Sequence, residues 1–399
     1  MRDIWHIGYS EDKGMQFIDL GAQQKRIRDQ IEANIAAILD HGRYIMGPEI
    51  KSLEEKLAQY VGVKHAVSCA SGTDALLLAL MAYKIGPGDA IFTTPFTFIA
   101  TGEVISLLGA TPVFVDIDPQ TFNMDPDKLE LAIQAISKNK ATHHPVPRSS
   151  GSPIPKGIIA VDLFGLPADY DNINAIANRH NLFVLEDAAQ SFGAENKGKK
   201  ACNLTELGCT SFFPAKPLGC YGDGGMCFTD NENLYEILNS LRVHGKGTHK
   251  YDNVRTGING RLDTLQAAIL LAKFDIFPEE IELRQQAARR YTRLLNQNTE
   301  VQAPMVPGEM KSAWAQYSVL AKDETHRSKL QAKLKEAGIP TAIYYPKPLH
   351  LQTAFKSLGY KEGDFPVSQD CSSRIFSLPM HPYLSSLDQE RIAQVLSSG

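Results

Sequence analysis

No apolar run in the 399-residue sequence approaches the ~20 residues of a bilayer-spanning helix, so nothing in it reads as a membrane segment. Charge of one sign is missing too. Lys and Arg number 41 against 45 Asp and Glu, and the net charge of -4 gives no electrostatic reason for a nucleic-acid or anionic-membrane partner. The six cysteines (Cys69, Cys202, Cys209, Cys220, Cys227, Cys371) show no Cys-x-x-Cys pair and no zinc-ligand spacing. They read as buried thiols in a reducing compartment, which argues against disulfides and structural zinc. The glycines Gly219, Gly222, Gly224 and Gly225 do not follow Gly-x-Gly-x-x-Gly, and no Gly-x-x-x-x-Gly-Lys-Ser/Thr occurs, so neither a dinucleotide fingerprint nor a triphosphatase loop is supported. Residues 1–14 are polar, lack the apolar core of a signal peptide, and are expected to form a flexible extension; the cytoplasm is the expected location.

What remains is ordinary globular material, 43% hydrophobic and 22% charged, long enough for two domains. Ile27, Ile31, Ile35 and Ile38 recur at helical spacing, and a second helix is expected from Pro48 through Tyr60. Short apolar runs follow at Ala66–Ser71, Ala90–Thr94, Pro112–Asp116, Gly157–Asp162 and Leu182–Asp187. Helical stretches lie between them at Ala75–Tyr83, Ile99–Leu108, Pro126–Ser137 and Ile173–His180. That alternation predicts a mainly parallel sheet covered by helices, with ligands beyond the carboxyl ends of its strands. Residues 138–156, with His143, His144 and four prolines, read as a flexible surface excursion whose histidines are solvated rather than metal-bound. A long helix is expected from Asp263, interrupted at Pro278 and resuming to Asn298. Trp314–Ala321 and Thr341–Tyr345 read as strands, and Ser328–Ala337 and Asp388–Leu396 as helices, which together suggest a smaller α+β unit.

Against this frame a few residues carry chemistry. Lys216 lies among apolar and small residues, Thr210–Gly219, a setting that lowers an amine's pKa and suits it to attack a carbonyl. A solvated lysine beside a glycine-rich loop is the alternative. Ser71-Gly72-Thr73-Asp74 stands where a strand gives way to a helix; it is either a phosphate cradle or a plain N-cap. Asp187 ends a buried strand, where it could pair with a protonated ring nitrogen or cap the next turn, and Gln190 could face the same cavity. Ser211 precedes Lys216 by five residues. Phe98 offers a flat surface to a heteroaromatic ring, unless it is a core residue. Arg261 could fork onto a carboxylate or phosphate, or pair with Asp263.

Several stretches match a known family in order: Ser71–Leu76, Pro95–Thr101, Glu186–Ser191, Ser211–Lys216, Gly222–Gly225, Asn259–Asp263, Tyr345–His350 and Ser377–Tyr383. By these motifs the chain resembles the DegT/DnrJ/EryC1/StrS family of pyridoxal-phosphate sugar aminotransferases from about Met15 onward. The resemblance implies the type I, aspartate-aminotransferase fold: a large cofactor-binding domain over 15–262, and a linking helix with a small C-terminal domain over 263–399. It implies pyridoxal 5′-phosphate as cofactor, passing through pyridoxamine phosphate, with Lys216 as the covalent anchor and Asp187 on the ring nitrogen. Gln190 would approach the ring's oxygen side and Phe98 would stack on it. Gly72, Thr73 and Ser211 would hold the phosphate, and Asn259 would reach the phosphate of the neighbouring subunit, so the active unit would be a homodimer. Arg261, Tyr344 and Tyr345 would contact substrate, although Tyr344 stands where histidine is common in the family. The implied substrates are L-glutamate, released as 2-oxoglutarate, and a nucleotide-linked keto-sugar. Cys202–Leu204 and Lys216–Gly225 favour the branch acting on UDP-linked 3-keto-uronates for bacterial surface polysaccharide, such as O-antigen and lipopolysaccharide. Dehydratases on this fold carry histidine in place of the lysine, and a regulatory protein without turnover would have no need to keep both Lys216 and Asp187.

Overall fold

Each β-branched or aromatic run bounded by turn residues becomes a strand of one central sheet. The computed structural model describes residues 14–397, apart from 139–142, 150, 250 and 299; the expected N-terminal extension therefore lies almost wholly outside the described residues. The strands are β1 (His65–Cys69), β2 (Asp89–Thr93), β3 (Thr111–Phe114), β4 (Ile154–Val161), β5 (Phe183–Asp187), β6 (Leu207–Ser211) and β7 (Gly225–Thr229). Their order across the sheet is β1-β7-β6-β5-β4-β2-β3. Pairings from β6 to β3 are parallel, and β7 runs antiparallel to both β1 and β6. Both faces are covered by apolar clusters. One packs the helix Gly72–Ala82 on the sheet, and the other packs the helices Pro126–Lys138 and Tyr170–His180. This is the mainly parallel, helix-covered sheet that the alternation predicts.

The glycine-flanked strands β6 and β7 went unread as strands in the sequence because their glycines look like breakers. Their role is close approach. A Cβ on Gly208 would lie 2.6 Å from Cys202 Cα, and one on Gly225 would lie 2.2 Å from Ser71 O.

Downstream, the helix Thr264–Asn298 runs unbroken through Pro278, contrary to the expected interruption. A helical proline forfeits one hydrogen bond and costs about 3 kcal/mol. Burial on its N-terminal flank opposes that cost: Phe274 and Phe277 join Tyr60 and Phe192 in one aromatic cluster, with ring centroids 5.1–6.0 Å apart. Two further strands, β8 (Tyr317–Leu320) and β9 (Ile375–Leu378), pair antiparallel over a core that holds Tyr291, Tyr317 and Phe376, with the helices Glu324–Glu336 and Ser386–Ser397 against it. The expected strand at Thr341–Tyr345 is absent. Pro340 and Pro346 bracket the segment, and it makes a single bridge, Ala342 to Ser377.

The excursion before β4 also departs from its reading. His143 is exposed, but His144 is only 5% exposed, with its ring centroid 5.9 Å from that of Phe365, and burial lowers its pKa to about 4. Arg148 N donates to Leu358 O at 2.8 Å, so this stretch is laid onto the C-terminal part of the chain. All six cysteines are buried thiols, and no helix among the described residues is long and apolar enough to cross a membrane.

Candidate active site

The register of the sheet brings the cradle together. Gly225 pairs with Cys69 of β1 on one side and with Ser211 of β6 on the other. Because β7 opposes its neighbours, its first residue lies level with their last ones. The chain leaving β1 turns at Ser71 into the helix Gly72–Ala82, whose Ser71 hydroxyl accepts from Asp74 N at 3.0 Å. Ser71 is thus a genuine N-cap, and the N–H groups of Gly72 and Thr73 are among those no intrahelical carbonyl can serve. A Cβ on Gly72 would stand 2.6 Å from Ser211 Cβ, so helix start and strand end are in contact. Free backbone donors, the positive end of a helix and a hydroxyl at one point suit a phosphate.

Asp187 ends β5, which pairs in parallel with β6 at Cys209. It is 5% exposed. Its Oδ2 accepts from the Thr101 hydroxyl at 2.8 Å and its Oδ1 from Ala189 N at 3.2 Å. Burial raises its pKa, and these bonds and the charge of Lys216 act against the rise. Thr101 is the residue the sequence reading passed over. It lies within the matched run Pro95–Thr101 and bonds to Thr97 at 3.1 Å; the four-residue spacing of two threonines at a helix start was the available signal.

Lys216 is half-buried, its backbone N–H tied to Phe213 O at 2.9 Å. Burial brings its ammonium pKa down to about 8, and Asp187 holds it from falling further. One other lysine is shifted the same way. Lys273, 1% exposed within the long helix, also falls to about 8 by burial, its Nζ 4.8 Å from the centre of the Tyr221 ring. Basicity therefore does not distinguish the two amines. Their surroundings do: Lys216 senses the strand-end Asp187, whereas Lys273 senses Glu280 and Cys220.

Around this pair, Gln190 is fixed at both ends: its Oε1 accepts from Phe164 N at 2.8 Å, and its Nε2 donates to the Tyr345 hydroxyl at 3.1 Å. Phe98 is 54% exposed, which removes the core-residue alternative. The Arg261 side chain is half-buried and forms no ion pair with Asp263. Asn259 is exposed, and its neighbour Gly260 accepts from Ala70 N at 3.1 Å. Beneath Asp187, Asp162 accepts from Tyr170 and Ser191 hydroxyls at 2.7 and 2.6 Å, and burial raises both Asp162 and its neighbour Glu186. No group of His, Cys, Asp and Glu among the described residues has the arrangement of a metal site.

The fold is that of the type I pyridoxal-phosphate-dependent aminotransferases. The chain belongs to the DegT/DnrJ/EryC1/StrS aminotransferase family, whose profile matches residues 25–397. It is 47% identical over 384 residues to the UDP-2-acetamido-2-deoxy-3-oxo-D-glucuronate aminotransferase of Pseudomonas aeruginosa, covering 96% of this chain and 100% of that one. Among solved structures, it is similar to a family aminotransferase from Brucella abortus, with a TM-score of 0.90, 51% identity, and 96% and 99% of the two chains covered. It is also similar to NtdA of Bacillus subtilis, solved with bound pyridoxamine phosphate, with a TM-score of 0.82, 27% identity, and 97% and 86% covered.

Proposed function

We propose that this enzyme moves an amino group from L-glutamate to a nucleotide-linked keto-sugar, a UDP-3-keto-N-acetylhexosaminuronate, in the synthesis of bacterial surface polysaccharide. The observation that carries the reading is a Lys216 amine that burial brings down to a pKa of about 8 within electrostatic reach of the strand-end Asp187. The similarity to the Pseudomonas aeruginosa enzyme supports the sugar.

When bound, pyridoxal phosphate supplies the carbonyl that takes up and returns the amino group, and the electron sink for the carbon losing its proton. Lys216 Nζ would be the amine that anchors this group, and the base that takes the proton from the donor's Cα and returns one to the sugar carbon. A pKa near 8 suits both duties, because the neutral and charged amines are both populated near neutral pH. Asp187, held by Thr101 and Ala189, would hold a proton on the ring nitrogen. Gln190, locked between Phe164 and Tyr345, would approach the ring's oxygen side. Phe98 would stack on the ring, and Gly72, Thr73 and Ser211 would hold the phosphate. Asn259 of each protomer reaches the neighbouring subunit's phosphate in a homodimer. Supporting that assembly, Tyr44, Ile45 and Met46 are 49%, 52% and 40% exposed beside the Asn259–Asp263 loop, where Thr264 N donates to Tyr44 O at 3.2 Å.

Arg261 reads the uronate carboxylate, with Tyr344 and Tyr345 lining the sugar. The test is release of 2-oxoglutarate from L-glutamate across UDP- and dTDP-linked keto-sugars. The 3-keto-uronate should be preferred, and Arg261→Ala should cost roughly 10- to 150-fold more on it than on a keto-hexose without the carboxylate, the worth of a hydrogen bond to a charged group. Equal losses on the two sugars would remove Arg261 from this role, and no release with any sugar would overturn the function.

A further inference from the structure

Lys216 sits in a loop that closes on itself. Phe212 N donates to Gly224 O at 2.7 Å, and Cys220 N donates to Phe212 O at 2.8 Å. The Cys220 thiol lies 3.0 Å from Phe212 O and 3.1 Å from Gly222 O, so the neck of the loop is tied several times over. The residue leaving that neck, Tyr221, is gripped by the long helix Thr264–Asn298. Gln266 brackets its backbone: Oε1 accepts from Tyr221 N at 2.9 Å, and Nε2 donates to Tyr221 O at 3.4 Å. Gly222 makes room for this, because a Cβ there would lie 3.0 Å from Gln266 Nε2. Two helical turns on, and so on the same face, Lys273 brings its Nζ to 4.8 Å from the centre of the Tyr221 ring.

Stability does not explain Lys273. It is 1% exposed and makes no hydrogen bond or ion pair among the described residues. Glu280, the carboxylate it senses, gives its oxygens to Gln23 and Tyr383 instead. An ammonium buried without an acceptor is costly, and an apolar side chain would avoid the cost. What the ammonium adds is attraction to the face of the Tyr221 ring. The geometry points to Gln266 and Lys273 as positioning residues for Lys216: by holding Tyr221 they fix the loop that presents the amine to the cofactor. The inference rests on the aminotransferase reading above and says how its reactive amine is kept in place. Neither residue needs to touch the reacting atoms. Placement alone matters, because a shift of about 1 Å in a reacting group can cost roughly 100-fold in rate.

The experiment pairs two measurements on Gln266→Leu, Lys273→Leu and Tyr221→Phe. In the pyridoxal-phosphate-loaded enzyme, the absorbance change on adding L-glutamate gives a maximal rate and a half-saturating concentration. Gln266→Leu and Lys273→Leu should each lower the maximal rate roughly tenfold or more, with half-saturation within about twofold of the parent. Tyr221→Phe keeps the ring face and should stay within about threefold of the parent rate. In the cofactor-free enzyme, hydrogen exchange of the two slow variants should quicken in the peptide spanning 212–224 and not across the sheet. Lys273→Leu should melt no lower than the parent, because it removes a buried ammonium that has no acceptor. Parent rates in both leucine variants overturn the positioning role. So does a slow rate accompanied by faster exchange throughout the sheet and a lower melting temperature, which marks a structural role alone. A parent enzyme whose absorbance does not respond to L-glutamate contradicts the proposed reaction, whereas exchange confined to 212–224 in the variants would still establish the clamp.

Discussion

Asp187 acts against the burial of Lys216: burial brings the amine down to a pKa of about 8, and the carboxylate ending β5 keeps it from falling further. Asp187 ends β5 and Lys216 lies in the turn that follows β6, and the parallel pairing of β5 with β6 brings these segments to the same edge of the sheet. In the cofactor-free enzyme the neutral, reactive form of Lys216 should grow as pH rises through about 8. Asp187→Asn removes the anion that favours the ammonium, so the titration should move to lower pH. Competitive acylation with acetic anhydride, read peptide by peptide across pH, measures this. A midpoint that stays put or rises in the variant would show that Lys216 does not sense Asp187.

The contact between Gly72 and Ser211 gives a second expectation. A methyl at Gly72 would press on Ser211 Cβ at 2.6 Å and push the helix start away from β6. Overpacking of this kind costs about 1–3 kcal/mol. Gly72→Ala should therefore weaken pyridoxal phosphate by roughly tenfold or more in an absorbance titration. Gly86→Ala is the control, because a Cβ there would meet nothing within 4 Å. Equal affinity in the two variants would place the phosphate elsewhere.

Acid stability follows from His144. Its folded pKa of about 4 lies below the ordinary 6.5, so the unfolded chain binds the proton more readily. The sign is then fixed: the contribution is complete above about pH 6.5 and is lost as pH falls toward 4. At pH 5 the loss amounts to about 2 kcal/mol by linkage. Melting temperatures at pH 7.5 and pH 5 should differ less in His144→Phe than in the parent. An equal or larger difference would show that His144 is not held neutral. The buried carboxyls Asp162, Glu186 and Asp187 have raised pKa values and act in the opposite direction, which is why the variant comparison, rather than the parent curve, carries the test.

Much of the proposed site rests on residue type and position. A lysine among apolar neighbours, an aspartate closing an apolar run and a Ser-Gly-Thr at a strand-to-helix junction announce themselves in one dimension. What could not be read depends on partners distant in sequence. Gly208 and Gly225 look like breakers until Cys202 and Ser71 are seen to pass within a Cβ radius of them. Pro278 looks like a stop until the Phe274 and Phe277 packing is in view. Thr101 becomes a site residue only through a hydroxyl bonded 86 positions away. Lys273 shows the converse, since its lowered basicity could not be foreseen without the helix that buries it.

Lys273 also sharpens the decisive measurement. Borohydride reduction of the pyridoxal-phosphate-loaded enzyme fixes the cofactor to whichever amine holds it, and peptide mass mapping then reports the position. The account predicts the phosphopyridoxyl label on the peptide containing Lys216. A label on Lys273, or on any other lysine, would contradict it.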